Sequence, residues 1–276
     1  MCNALFAVSQ SLPKYDDLLF TGPTAVLISD RDNYCIRILK REKGNGSDVT
    51  PKVGTCGKRG NQDGENAMFS RLGNFVWDKV SFIVPKIIVA DEFNDALRSV
   101  ELNRHVTTTI ISRVSGLTRP RYLLYDPDSN DYLYISMPFQ ISRFHIPSNT
   151  LQVLTGKGQS TASIGIQDGP FSTATFGVRI PEIKMVNNTF MVASDARSNM
   201  VRLLDLKNKK SYTICSDGKI AQLKSAASPI CSFLKPHAVS FTKDHLYIGS
   251  ASNIRKMPGE NKFYLSATLH TESIQH

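Results

Sequence analysis

Four residues of differing charge stand directly behind a proline: Lys14 after Pro13, Arg121 after Pro120, Glu182 after Pro181 and His237 after Pro236. An apolar run follows each of them. Two cations, one carboxylate and one imidazole at corresponding places suit an anionic group or a water-bridged ligand. They do not suit a metal centre, which draws on about three converging protein ligands. The six histidines are at 105, 145, 237, 245, 270 and 276, and only His237 belongs to the set. None of the five cysteines forms a Cys-x-x-Cys pair, which points away from zinc. No nucleophile elbow, phosphate loop or paired-histidine motif occurs. The residues call for no metal and no cofactor, and they favour binding over catalysis.

The cysteines are Cys2, Cys35, Cys56, Cys215 and Cys231. Asn45-Gly46, a two-residue hairpin signal, lies midway between Cys35 and Cys56. Counting outward from that turn sets the two cysteines opposite each other in a non-hydrogen-bonded pair. The Cα separation there is ~4.5 Å, within disulfide reach. Pro51 objects, because in the same register it opposes Lys40 in a hydrogen-bonded pair and has no N–H to donate. A bulge or a different turn would remove the conflict. The expectation is a Cys35–Cys56 disulfide, with two neighbouring buried thiols as the alternative. Cys215 and Cys231 flank a connector and are a second candidate pair, which leaves Cys2 over. Disulfides would place folding in an oxidising compartment, extracellular or lumenal. The N-terminus lacks the basic flank of a signal peptide. Sequons at Asn45-Gly46-Ser47 and Asn187-Asn188-Thr189 are near the chance level and add little.

One pattern recurs five times and must position these residues. An apolar strand ends at a small residue, a polar turn follows, and then comes an arginine, over 26–37, 88–98, 133–143, 191–202 and 246–255. Arg37, Arg98, Arg143, Arg202 and Arg255 lie 45 to 61 residues apart, a period of propellers, solenoids or arrays. Arginines repeated in this way read as structural donors. Asp30, Asp91 and Asp195 read as turn acceptors, because Asp and Asn bond local backbone and tolerate positive φ. A β-branched strand follows each copy, at 50–55, 105–111, 151–155, 211–215 and 263–268. A further apolar segment precedes each, at 18–20, 74–77, 122–125, 183–185 and 238–241. Four strands per unit is the content of a propeller blade.

The expectation is therefore an all-β chain, a β-propeller of four-stranded antiparallel blades. It would form a single domain over 1–276, with units at 4–56, 60–111, 116–155, 165–215 and 217–268. The first strand of each blade would line a central channel. Lys14, Arg121, Glu182 and His237 would then sit near its mouth.

The connectors repeat as well. Gly60-Asn61-Gln62-Asp63-Gly64 leads to Phe69, as Gly165-Ile166-Gln167-Asp168-Gly169 leads to Phe176. Asp217-Gly218 leads more loosely to Phe233, and Ala4-Leu5-Phe6 reads as the tail of another connector. The aromatic is expected to plug the gap between neighbouring blades. Asp-Gly, then an aromatic, Pro, an apolar strand ending Ala/Ser-Asp, and Asn before Ile-Arg resembles the NHL-repeat family of β-propellers over nearly the whole chain. The copy around Leu133 departs most, with Met137-Pro138 where Asp would stand. NHL propellers commonly have six blades, so five copies imply a missing or degenerate blade or a chain cut from a longer protein. The last is preferred, because the chain opens inside a connector.

The resemblance implies a non-enzymatic binding or scaffold module that holds a protein partner on a propeller face and its loops. A second reading is single-stranded RNA on a basic face. The net charge of +9, from 33 basic and 24 acidic residues, favours acidic partners. Arg119, Arg121 and Tyr122 are the candidate surface for RNA. A third reading is a metal-dependent propeller enzyme of the peptide-amidating lyase or lactonase kind. It would need a ligand cluster that His237 or Glu182 alone does not supply. No apolar run approaches the ~20 residues that span a membrane.

Overall fold

The structure, a computed structural model, describes residues 5–7, 25–41, 47–80, 84–156, 167–216, 235–242, 245–250 and 254–258. Five antiparallel sheets form one after another along the chain. The first runs β1 (Leu5–Ala7), β2 (Ala25–Asp30), β3 (Cys35–Arg41) and β4 (Ser47–Val53). The second runs β5 (Leu72–Trp77), β6 (Lys86–Asp91), β7 (Ala96–Glu101) and β8 (Val106–Ile111). The third holds β9 (Tyr122–Asp126), β10 (Ser129–Met137), β11 (Gln140–His145) and β12 (Thr150–Thr155). The fourth adds β13 (Gly169–Pro170) at the outer side of β17 (Lys210–Ser216), followed by β16 (Met200–Asp205), β15 (Phe190–Asp195) and β14 (Ile183–Met185). The fifth holds β18 (Ala238–Phe241), β19 (His245–Gly249) and β20 (Ile254–Pro258). These are the blades of a β-propeller fold, and the described residues include no α-helix.

The chain divides into two compact units, Met1–Tyr125 with His145–Leu151, and Asp126–Phe144 with Gln152–His276. Each unit has its own apolar core. In the first, Leu27, Ile36 and Ile38 pack with Phe75, Ile87 and Val89, and the fully buried Phe69 lies in the same cluster. In the second, Val192, Val201 and Leu203 pack with Val239, Leu246 and Ile248. The middle strands are buried on both faces, β16 along its whole length and β6 and β15 at all but their first residue.

The turn between the second and third strands repeats in detail. It closes on a left-handed residue: Tyr34 (φ 59), Asp95 (φ 52), Phe139 (φ 64) and Asn199 (φ 55). The Asp-Gly connectors do more than turn. Gly64 and Thr107 exchange hydrogen bonds of 2.8 and 3.1 Å, and Gly169 pairs with Ser211, so each connector docks on an outer strand. Both glycines take positive φ, 95 and 129, where a Cβ would strain the backbone.

Three expectations change. Leu5–Ala7 is not a connector tail: it pairs with β2, Leu5 facing Asp30 and Ala7 facing Ile28. The edge of β2 has backbone groups that need partners, and this apolar triplet supplies them. The segment 18–20 expected there, Lys14, and the strand expected at 263–268 lie outside the described residues.

The hairpin of β3 and β4 also has another register. Lys40 faces Asp48, and Pro51 faces Arg37, so the strands do not meet in a two-residue turn at Asn45-Gly46. A register shift between Ile36 and Arg37 absorbs an extra residue beside the proline. The Cys35–Cys56 disulfide forms all the same, with Cα atoms 5.1 Å apart. Gly54, at φ +88, turns the chain after β4 and brings Cys56 back to Cys35. Cys215 lies in β17, while Cys2 and Cys231 are outside the described residues.

Arg143 is one residue out of step with the other repeat arginines. Arg37, Arg98 and Arg202 each follow the left-handed turn residue by three, and the residue three after Phe139 is Ser142. In a strand, a slip of one puts the side chain on the opposite face.

Candidate functional site

The repeated arginines and aspartates are joined to one another. Arg98 is fully buried, and its guanidinium reaches Asp91 at 3.1 Å, Asp63 at 2.6 Å, the Gln62 carbonyl at 2.6 Å and Asn61 Oδ1 at 3.1 Å. Arg202 repeats this with Asp168 at 2.7 Å, Asp195 at 3.8 Å and the Gln167 carbonyl at 3.0 Å. Asp63 and Asp168 also accept the N–H of Thr109 and Thr213, at 3.0 and 2.8 Å. Each arginine thus clamps its own Asp-Gly connector to its sheet. The guanidinium carbons lie 5.4 Å from the centre of the Phe69 ring and 4.6 Å from that of Phe176, within cation–π range.

The strand-end aspartates fix the chain that leads into the sheet. Asp91 accepts the Ser70 N–H at 2.8 Å and the Asn94 amide at 2.8 Å, and Asp195 accepts the Gly177 N–H at 2.9 Å. Burial pushes the Asp91 carboxyl up to about 6, against the pull of Ser70, Asn94 and Arg98. Burial likewise raises Asp195. In the first sheet, Arg37 meets Asp30 at 2.5 Å. In the fifth, Arg255 faces Ile248 and is exposed. The displaced Arg143 instead meets Asp126 at 2.7 Å and stacks on Tyr132, 3.7 Å from the ring centre.

Of the four proline-following residues, Arg121 belongs to the first unit and Glu182 and His237 to the second. Glu182 is half-buried, and its Oε2 accepts the Val239 N–H at 2.9 Å, tying β14 to β18. His237 is partly exposed, and its N–H donates to the Gly249 carbonyl at 2.8 Å. Among the described residues, no group of three or more His, Cys, Asp or Glu is placed to hold a metal. No helix there is long and apolar enough to cross a membrane.

Arg121 has partners that the sequence reading passed over. Glu92 lies 3.9 Å from Arg121 and also pairs with Arg31, and all three are buried. Arg31 holds the Leu72 carbonyl at 3.0 Å as well. The signal was available: Arg31 and Glu92 each follow a strand-end aspartate, so corresponding turns carry opposite charges. Next to Glu92, Phe93 is half-buried, and its N–H donates to the Ser70 carbonyl at 2.8 Å. Three guanidiniums surround its ring, Arg71 at 5.1 Å, Arg119 at 5.2 Å and Arg59 at 5.7 Å from the centroid. Arg59 and Arg119 are exposed. Of the surface expected for RNA, Arg119 is open, Tyr122 half-buried and Arg121 buried.

No family model and no curated protein matches the chain. Solved structures match in fold. An auxiliary nutrient binding protein from Bacteroides thetaiotaomicron superposes with a TM-score of 0.61 at 15% identity, over 85% of this chain and 56% of its own. One from Bacteroides ovatus gives 0.60 at 15% identity, over 86% and 57%. The extracellular domain of a proposed hybrid two-component system from B. thetaiotaomicron gives 0.52 at 13%, over 85% and 26%. The chain thus spans little more than half the length of the two nutrient binding proteins. At such identities the likeness concerns the fold alone, which is that of an all-β propeller protein.

Proposed function

We propose that this chain is a non-catalytic binding module, a propeller of NHL type. It would hold a macromolecular partner, a protein above all, with the loops at one end of its sheets. One observation carries the reading. The repeated ion pairs of Arg98 and Arg202 are turned inward on the frame, whereas Arg59, Arg71 and Arg119 gather around Phe93 where solvent reaches them. Arginine beside an aromatic is a frequent composition for the energetic centre of a protein interface. The neighbours described as nutrient binding proteins and as an extracellular domain agree with a binding role outside the cytoplasm. The Cys35–Cys56 bond supports an extracellular or lumenal setting.

Chemical cross-linking of the disulfide-bonded protein in its native fluid, read by mass spectrometry, tests this. Cross-links to one partner that converge on loops 57–60, 92–95 and 117–121 are expected. Their loss in the Arg59→Ala/Arg119→Ala protein, but not in Arg104→Ala, would support the site. Cross-links scattered over the sheets, indifferent to these changes, would overturn it.

A further inference from the structure

Phe93 and the three arginines around it come from four separate segments, and two of the arginines sit against the preference of their backbone. Arg71 has φ 60 and Arg119 has φ 41, both in the left-handed region. An L-residue there is disfavoured by about 1–2 kcal/mol, and Gly or Asn would relieve most of that. Backbone geometry therefore does not explain why these positions carry arginine. Asp95 Oδ1 accepts the Arg119 N–H at 2.7 Å and holds the strained backbone in place.

The charges are only partly answered. Among the described residues neither Arg59 nor Arg119 joins an ion pair, and Arg71 has a loose one with Asp32 at 3.4 Å. Next to Phe93, the buried Glu92 pairs with both Arg31 and Arg121. Each ring contact is worth only about 0.5–1 kcal/mol at an exposed site. The guanidiniums repel one another around the ring, and an anion bound among them would relieve that repulsion. Arginine matches planar carboxylates and phosphates with paired hydrogen bonds.

The same face carries carboxylates. Asp32 is exposed beside Arg71, and Asp95 lies 3.8 Å from the exposed Arg113. A uniformly anionic chain, such as RNA, would meet both at close range. A protein segment with several carboxylates, one apolar side chain and one basic side chain would satisfy every group. We infer that this face binds an acidic segment of a protein partner, with carboxylates on Arg59, Arg71 and Arg119 and an apolar side chain on Phe93. The inference rests on the binding-module reading and names the chemistry of its partner.

The test is a titration of the whole disulfide-bonded chain with a labelled peptide of mixed Asp and Glu carrying one Leu and one Lys. A charge-reversed peptide and a short oligouridine serve as comparison probes. The acidic peptide should bind best, and Arg59→Ala and Arg119→Asn should each weaken it by about fivefold or more. Arg119→Asn should also leave the thermal midpoint unchanged or raise it, because Asn accepts the left-handed backbone. That combination separates a lost contact from a lost fold. Tighter binding of oligouridine, or an acidic-peptide affinity indifferent to both substitutions, would overturn the inference. If the peptide fails to bind while cross-links still converge on these loops, only the partner chemistry falls. If both fail, the binding-module reading falls with it.

Discussion

Replacing Arg98 by methionine keeps most of the side-chain length and removes the charge. Arg98 and Asp91 are both fully buried and 3.1 Å apart. Removing one member of such a pair strands the other, at a cost of about 3–5 kcal/mol. The cost depends on pH, and its sign follows from Asp91. Burial holds this carboxyl at about 6 in the folded protein, above the unfolded value of 3.8. The folded state therefore takes up the proton more readily, and this group's contribution to stability falls as pH rises from about 4 through 6. Without Arg98 the folded carboxyl rises further. Near pH 5 Asp91 is largely protonated in the folded form of both proteins, so its ion pair with Arg98 is lost while the pairing of Arg98 with Asp63 remains. Near pH 7.5 the variant must bury either a lone charge or a costly proton. Urea unfolding followed by circular dichroism at the two pH values should show the full loss near pH 7.5 and a clearly smaller one near pH 5. A loss below about 1 kcal/mol near pH 7.5, or equal losses at both values, would refute the reasoning.

Reduction of Cys35–Cys56 opens a loop with a sequence separation of 21 and should lower stability by about 3 kcal/mol by chain entropy. Identical urea midpoints with and without reductant would contradict that. Gly73→Ala would put a Cβ 2.1 Å from the Arg121 carbonyl oxygen, so overpacking should lower stability by about 1–3 kcal/mol. An unchanged thermal midpoint would count against the close approach of β5 to residue 121. Burial and the neighbouring Asp126 push the Tyr134 phenol up to about 12, so its ultraviolet titration should fall well above that of a free tyrosine. Titration near the ordinary value of about 10, judged by difference from Tyr134→Phe, would contradict the contact with Asp126.

Much of the frame could be read from residue spacing. The Asp-Gly connectors, the Asn turns and the alternating strands are local, and local chemistry decides them. Where the reading went astray, a non-local choice decided the outcome. Leu5–Ala7 is too short to announce a strand, and it becomes one by completing the edge of β2. The β3–β4 register depends on where a bulge accommodates Pro51, which pattern alone does not fix. Arg143 looks like its counterparts in sequence, but Phe139 holds the left-handed position and leaves the arginine on the other face. Of the proline-following residues, Arg121 leads to the charged cluster beside Phe93, through Glu92. The open charges there belong to Arg59, Arg71 and Arg119, which three different loops bring to one phenylalanine. A single sequence has no periodic signal for such a gathering.

Hydrogen exchange on the disulfide-bonded protein, with and without the acidic peptide, tests the central claim most directly. Slowed exchange is expected at Phe93–Asp95 and in loops 57–60 and 117–121, with the amides of β14–β17 unchanged. Protection confined to other loops, or none at saturating peptide, would contradict it.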